Sequence, residues 1–450
     1  MPGDWSEYET TLRSACRHIY GEQADVNRFD LFVSQVFHGL LDQELQRFNA
    51  ESLAPELVTL WHFVQTSGRH SLELQVRPAL QAYATPTTCI DMLGEETPFL
   101  LNTLRMHLNR CGHKPLLVID QSLAHAGSSR YRVALQIHVP ELSAHGREQL
   151  QRQLEQVMRV LGKVVQDFGL MRESLARESM QALRFVERDQ GKEENLEFYA
   201  FISWILQENM LLLGMKSWDI NHGERVLRSG SELGWLAIEP GIDCLQEHDL
   251  FARPGYGRVA FAQIPNRSPV NHDEFCDLVA LRRWDEQGQV VAELRVVGLY
   301  TSRMNQSDPV NIPVMREKLA TLRNLCGFHP LSADARNLER LLRFLPRNRL
   351  LMASASDLAP SLMSMVAQRQ PRRCKFIWWS DRYDRFVYLT LFIPKTWYRD
   401  ELPQQFLTCL KEALVCRDTR HDIMVSAYLW VRVDYRLVIA SAPDDAQRLA

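Results

Sequence analysis

TTCIDMLGEETPFLLNTLRMHLNRCGHKPLLVID (87–120) decides the fold. Residues 87–93 read as a strand that runs into Gly94. Thr97 then offers an N-cap oxygen and Pro98 suits a first helical turn. The helix is expected to stop near Gly112, with 116–119 as the next strand. Upstream, Leu72, Leu74 and Val76 alternate with Glu73, Gln75 and Arg77, the period of a half-buried strand. Downstream, 131–139 reads as another strand across the turn-forming stretch 125–129, and a long helix starts near Ala144. Strand, helix, strand, strand, helix is a ferredoxin-like order, which places the chain in the α+β class.

Residues 5–66 have helical spacing throughout, with Phe29, Leu31, Phe32, Val36, Phe37, Leu40 and Leu41 and then Leu57, Leu60, Trp61 and Val64. In the long helix, Leu150, Leu154, Val157, Leu161, Val164, Phe168, Met171 and Leu175 alternate in steps of four and three, a heptad seam. Two readings of that seam stay open: packing across its own sheet and a neighbouring helix, or a coiled coil between chains. A helix over 193–209 leads into a buried strand over 210–214. Strands at 259–264, 277–284 and 290–300 follow, the last two joined by the turn 285–288. Helices are predicted over 312–325, 336–345 and 358–366. After the polar linker 368–373, strands 376–379 and 386–393, a helix over 400–414 and one long or two short strands within 423–439 make a third mixed unit. The tail beyond Ser441 has little to bury.

This reading divides the chain into a helical N-terminal module (1–66), a first ferredoxin-like domain with its long helix (67–190), a second α+β domain (191–330), a helical connector (331–370) and a third domain (371–450). A length of 450 residues suits several domains at roughly 150 residues each. With 46% hydrophobic and 24% charged residues the chain has the balance of a folded globular protein. Its net charge of -3, from 52 basic and 55 acidic side chains spread along the chain, leaves no basic domain for nucleic acid. The acidic N-terminus has no signal-peptide core and no run is long enough to span a membrane, so a cytoplasmic protein is expected. The nine cysteines are scattered and never form C-x-x-C, which fits reduced core thiols better than disulfides or zinc.

Motifs for catalysis are missing. A nicotinamide site needs a G-x-G-x-x-G/A turn, and RPGYGR (253–258) has one Gly-x-Gly and reads as a turn before a strand. No P-loop, H-E-x-x-H or G-x-S-x-G occurs, and His107 with His113 is too isolated a pair for a metal. Glu95-Glu96 sits where a helix macrodipole favours acids. FIWW (376–379), with Trp397 and Trp430, could face a partner, although packing of a small two-layer unit is the simpler role. The neighbouring Arg372, Arg373, Arg382 and Arg385 are interrupted by Asp381 and Asp384, unlike a single-strand binding groove.

PFLLNTLRMHLNRCGH (98–113), SPVNHDEFCDLVALRRWDEQGQVVAELRVVGLYTSRMN (268–305), IPVMREKL (312–319), FLPRNRLLMAS (344–354) and FIPKTWYRDELPQQF (392–406) resemble, in order and spacing, the ACT-like N-terminal region of the large bacterial NAD-dependent glutamate dehydrogenases. The resemblance runs from about residue 70 to the C-terminus. Departures include Asn271-His272 where the family has His-Arg, and Tyr398-Arg399 where it has Tyr-Asn. The resemblance implies tandem ACT-like sandwich units with long helices, in a regulatory and oligomer-forming region. The parent enzymes oxidatively deaminate L-glutamate to 2-oxoglutarate and ammonium with NAD. Nothing here corresponds to their glycine-rich catalytic region, so this stretch is expected to be non-catalytic and to hold no cofactor. It would be a piece of such an enzyme or a free-standing amino-acid sensor. An amino-acid effector is expected at the strand-to-helix turn, Gly94, Glu95, Glu96 and Thr97 with Asn102 one turn on, where helix-start amides can bind a carboxylate.

Overall fold

The computed structural model describes residues 5–67, 72–80, 86–124, 131–187, 192–245, 247–251, 257–367, 373–381, 383, 385–425 and 430–440. The readings made for 125–129, for most of 368–373 and for the tail lie outside these residues. Two compact units are present: Met1–Val165 with Pro269–Asp273, and Gln166–Ser268 with Glu274–Ala450.

The first unit opens with helices α1 (Ser6–Tyr20), α2 (Val26–Gly39), α3 (Asp42–Leu45) and α4 (Ala50–Thr66). They bury Leu12, Phe29, Phe32, Leu57 and Trp61 in one cluster with Leu93, Leu117, Ile119 and Ala134 of the sheet. Leu31 and Leu41 fall off the stripe and are exposed. Strands β1 (Glu73–Pro78), β2 (Thr87–Glu95), β3 (Leu117–Ala124) and β4 (Tyr131–Pro140) form an antiparallel sheet in the order β1-β2-β4-β3. A ferredoxin-like sheet sets its last strand beside its first. Here that edge is filled by β1, which precedes β2 in the chain. Both faces of the sheet are covered, so β2 is buried at every position from Thr87 to Gly94.

Helix α5 (Leu100–Arg110) starts later than the sequence suggests. Thr97 is not its cap: the Thr97 hydroxyl donates to the Glu95 carbonyl at 2.9 Å. The residue before a proline avoids helical backbone angles, and Phe99 adopts a left-handed φ of 66°, so the helix begins only after it. Helix α6 (Ala144–Glu187) runs for 44 residues, and the boundary between the units falls within it. Its seam is buried at Leu150, Leu154, Val157, Leu161, Val164, Met171 and Leu175, but Phe168 is 36% exposed, stacked instead with the Arg172 guanidinium.

The second unit continues with α7 (Lys192–Trp204), a π-turn Ile205–Asn209, β5 (Met210–Asn221), β6 (Glu224–Leu227), β7 (Leu233–Gly234), α8 (Trp235–Ile238), β8 (Val259–Arg267), β9 (Phe275–Trp284) and β10 (Val290–Tyr300). In α7, Leu196 is exposed, and Phe198, Phe201 and Ile202 take the core positions. The expected ACT-like order is not met in this sheet. It is an antiparallel β6-β5-β10-β9-β8 arrangement, with β7 on β5, because β8, β9 and β10 follow one another without a crossover helix. Gly298 sits at the register shift between β10 and β5, where a Cβ would lie 2.3 Å from the Leu211 carbonyl oxygen.

Helices α9 (Ser302–Gln306), α10 (Met315–Cys326), α11 (Ala333–Phe344), α12 (Arg347–Met352) and α13 (Ala355–Val366) follow and share a core with β5, β8 and β10. Last come β11 (Lys375–Ser380), β12 (Phe386–Pro394), α14 (Leu402–Ala413), β13 (Cys416–Val425) and β14 (Trp430–Ile439), in the order β11-β12-β14-β13. That is the strand order of the first sheet again. Among the described residues no helix is long and apolar enough to cross a membrane.

Candidate functional site

The start of α5 opens into a concavity lined by Glu95, Glu96, Thr97, Phe99, Asn102, Asp120 and Tyr131, among others. Strand pairing assembles it: β2 ends in Glu95 with Glu96 just after it, β3 delivers Asp120, and β4 Tyr131, whose carbonyl accepts from the Glu96 N–H at 3.1 Å. No side chain among the described residues caps the first turn of α5; the Leu100 N–H reaches the Thr97 carbonyl at 3.3 Å, and the next amides of the turn keep their donor character. Asn102 lies at the rim and donates from Nδ2 to Asn271 Oδ1 at 3.4 Å. Gly94 does not line the concavity. It pairs with Val133 inside the sheet, where a Cβ would meet Leu72 Cδ1 at 2.8 Å.

Electrostatically the concavity differs from a simple carboxylate cradle. Burial, reinforced by Glu96, pushes the Asp120 carboxyl above its usual range, against the pull of Arg105. Helix-start amides and carboxylates thus share one small surface. Such a surface complements a zwitterion, with the ligand carboxylate at the amides and its ammonium at the acids.

A second concavity, in the second unit, is lined by Phe251, Phe261, Trp379, Asp381, Tyr388 and Lys318 among others. Its polar groups serve the fold. Lys318 Nζ donates to the carbonyls of Leu350, Leu351 and Ala353 at 2.7–2.8 Å, closing the end of α12, and Asp381 Oδ1 accepts from the Arg385 and Phe386 amides. Of the aromatic run, Ile377 is buried, whereas Phe376 and Trp378 are exposed on the edge strand β11. Arg258, at the end of the Gly-x-Gly stretch, stacks on Phe198 and Trp284 and binds Asn195, a structural role. His107 lies 3.6 Å from Cys111 Sγ and, among the described residues, forms no metal-holding group with His113.

One cluster escaped the sequence reading. On the α4-facing side of the first sheet, Glu56, Cys89 and His138 are fully buried, and one ligand atom of each lies within 4.8 Å of the others. Asp91, Gln136, Thr87 and Arg77 complete it. Arg77 donates to Glu56 Oε2 at 2.7 Å and to Asp91 Oδ2 at 2.6 Å, and Gln136 Nε2 donates to Asp91 Oδ1 at 2.8 Å. Burial drives the His138 imidazole down to about 4 and the Cys89 thiol well above its usual range. The available signal was the period-two set Thr87, Cys89, Asp91 facing Gln136 and His138 in strands otherwise built of core residues.

Comparison with known proteins matches three domain models. The ACT1 domain of glutamate dehydrogenase covers residues 32–134, its helical motif 1 covers 312–370, and its ACT2 domain covers 375–449. The NAD-specific glutamate dehydrogenase of Halomonas elongata is 24% identical over 443 residues, which is 91% of this chain and 27% of that protein. That of Pseudomonas aeruginosa is 24% identical over 464 residues, 96% of this chain and 28% of that protein. The chain therefore spans little more than a quarter of the relatives it matches. An RNA-binding light-oxygen-voltage receptor structure aligns at 10% identity over 64% of this chain and 90% of that one, with a TM-score of 0.13, too low to carry an argument.

Proposed function

Because the chain belongs to the NAD-specific glutamate dehydrogenase family, of which it carries the ACT1, helical motif 1 and ACT2 regions, we propose that it is a regulatory and assembly region that senses an α-amino acid. The observation that carries this reading is the concavity at α5, where uncapped helix amides and the carboxylates of Glu95, Glu96 and Asp120 lie together. In this reading the region works in the cytoplasm as a homo-oligomer and regulates oxidative deamination of glutamate carried out elsewhere in the enzyme. In this reading NAD binds elsewhere in the enzyme, because this sequence carries no G-x-G-x-x-G/A turn of the kind that lets a pyrophosphate approach the backbone.

Calorimetry with the common amino acids tests the site on the wild-type chain and on Glu96→Gln with Asp120→Asn. One amino acid should bind the wild type, and the double variant should bind it at least about 10-fold more weakly, the loss of one charge-assisted contact or more. Equal affinity, or no ligand for the wild type, rejects the placement. Light scattering at micromolar concentration tests assembly, and a monomer there would refute that half of the reading.

A further inference from the structure

The buried cluster of Glu56, Cys89 and His138 has a composition that core packing does not require. A helix face that otherwise buries Leu53, Leu57 and Leu60 would be served by another apolar residue at position 56, yet it buries a carboxylate completely. The cations and anions that face the cluster are Arg77, Glu56 and Asp91. Arg77 supplies one positive charge against two carboxylates that are each 0% exposed. Excess negative charge away from water is costly unless a further cation or proton offsets it.

We propose that Glu56, Cys89 and His138 form a zinc site that fastens α4 to the first sheet. A thiol, an imidazole and a carboxylate are the donor types zinc takes. Cys89 Sγ lies 3.8 Å from His138 Nε2. A tetrahedral zinc with ordinary bonds to sulfur and nitrogen holds those atoms about 3.6 Å apart, so the pair needs little movement. A Glu56 oxygen lies within 4.8 Å of both, which asks for a modest inward shift of one side chain. Thr87 Oγ1, 3.3 Å from His138 Nδ1, orients the ring with Nε2 toward the sulfur. Asp91 Oδ1, 3.3 Å from Sγ, accepts the thiol hydrogen bond in the metal-free state. On binding, the ion takes the place of the thiol proton, which leaves to solvent. A divalent ion plus a thiolate then balances the Arg77, Glu56 and Asp91 charges to neutrality. Each Glu56 oxygen already accepts one hydrogen bond, from Arg77 or from the Leu80 N–H, and retains a second lone pair for the metal.

The test uses the full chain in a Cys374→Ser, Cys409→Ser background, which removes the two exposed thiols. After chelation, one equivalent of Co2+ should produce a thiolate-to-cobalt charge-transfer band that one equivalent of Zn2+ bleaches, and zinc should raise the melting temperature. Cys89→Ser should lose the band, and His138→Gln should weaken zinc binding on the order of 100-fold. A folded wild type that gives no thiolate band overturns the proposal whatever the variants do. So does a band that survives Cys89→Ser.

Discussion

Asp277 on β9 should make the stability of the second unit fall with rising pH. Its side chain is 6% exposed, accepts from Gln263 Nε2 at 3.2 Å and from the Tyr300 N–H at 3.5 Å, and is held at about 7 against an ordinary 3.8. Burial is the largest cause and Glu274 adds to it, while Arg436, the Tyr300 amide and Asn348 oppose it. A raised carboxyl favours the protonated form in the folded state. The folded chain therefore binds more protons than the unfolded one between pH 3.8 and about 7, and stability is lost as pH rises through that window. Integrating between pH 5 and pH 8 gives a loss of roughly 2.5 kcal/mol from this group alone. Asp277→Asn keeps the size and has no charge to desolvate. Urea unfolding of both proteins at pH 5 and pH 8, followed by tryptophan fluorescence, should show the variant gaining roughly 2.5 kcal/mol on the wild type between the two conditions. If the difference between the proteins is the same at both pH values, Asp277 is ionised throughout and the argument fails.

Three further outcomes follow from the packing. Lys318→Met removes the donor to three helix-end carbonyls and should cost about 1–3 kcal/mol, whereas no measurable loss would mean that water replaces the ammonium there. Leu161→Ala in the seam of α6 should cost about 2–5 kcal/mol, and Phe168→Ala less than about 1 because that ring is partly in solvent; equal costs would restore Phe168 to a seam, one made between chains. Arg349→Met should cost about 3–5 kcal/mol, since it leaves Asp434 buried with one partner fewer, while Arg349→Met with Asp434→Leu should recover part of that loss. A double variant as unstable as the sum of the singles would show that the two side chains do not interact.

Long elements were legible where pattern and turn chemistry agreed. Strand 290–300 has its predicted limits because Asp285 and Gly288 close the turn before it: the Gly288 N–H reaches the Asp285 carbonyl at 3.1 Å, with a φ of 78° that glycine adopts freely. Helix α12 was missed because its buried side chains include Arg347 and Arg349, which read as surface residues until their partners are known. The order of the central sheet was not legible either, since strand signals do not say which neighbour pairs with which. At the candidate site, the presence of a helix after Pro98 could be read locally, but not its start, which the left-handed Phe99 delays to Leu100. The side chains opposite it could not, because Asp120 and Tyr131 arrive through the pairing of β4 with β2 and of β3 with β4. The zinc ligands come from α4, β2 and β4, and no spacing rule connects them.

The repeated strand order has a physical counterpart in what each sheet buries. In the sheet of β11 to β14, Val387, Leu389, Leu391, Val431, Val433 and Leu437 form an apolar face with α14, and the opposite face carries Tyr388, Thr390, Arg432, Asp434 and Arg436. There the helical motif meets the sheet through charge: the Arg349 guanidinium from α12 binds Thr390 Oγ1, the Tyr435 carbonyl at 2.9 Å and Asp434 at 3.3 Å. In the first sheet the same two central strands pair Asp91 with Gln136 on the face that receives Glu56 from α4. Each of the two four-stranded sheets thus follows a helical module in sequence in a β-β-α-β-β order, with one buried polar anchor from the helices onto its two central strands. Apolar contact alone would tolerate sliding of a helix along a flat sheet face. A buried ion with a single set of partners does not, because any shifted register leaves it unpaired away from water. The anchors therefore fix the helices over the sheets, at a cost in raw stability that an apolar face would have avoided.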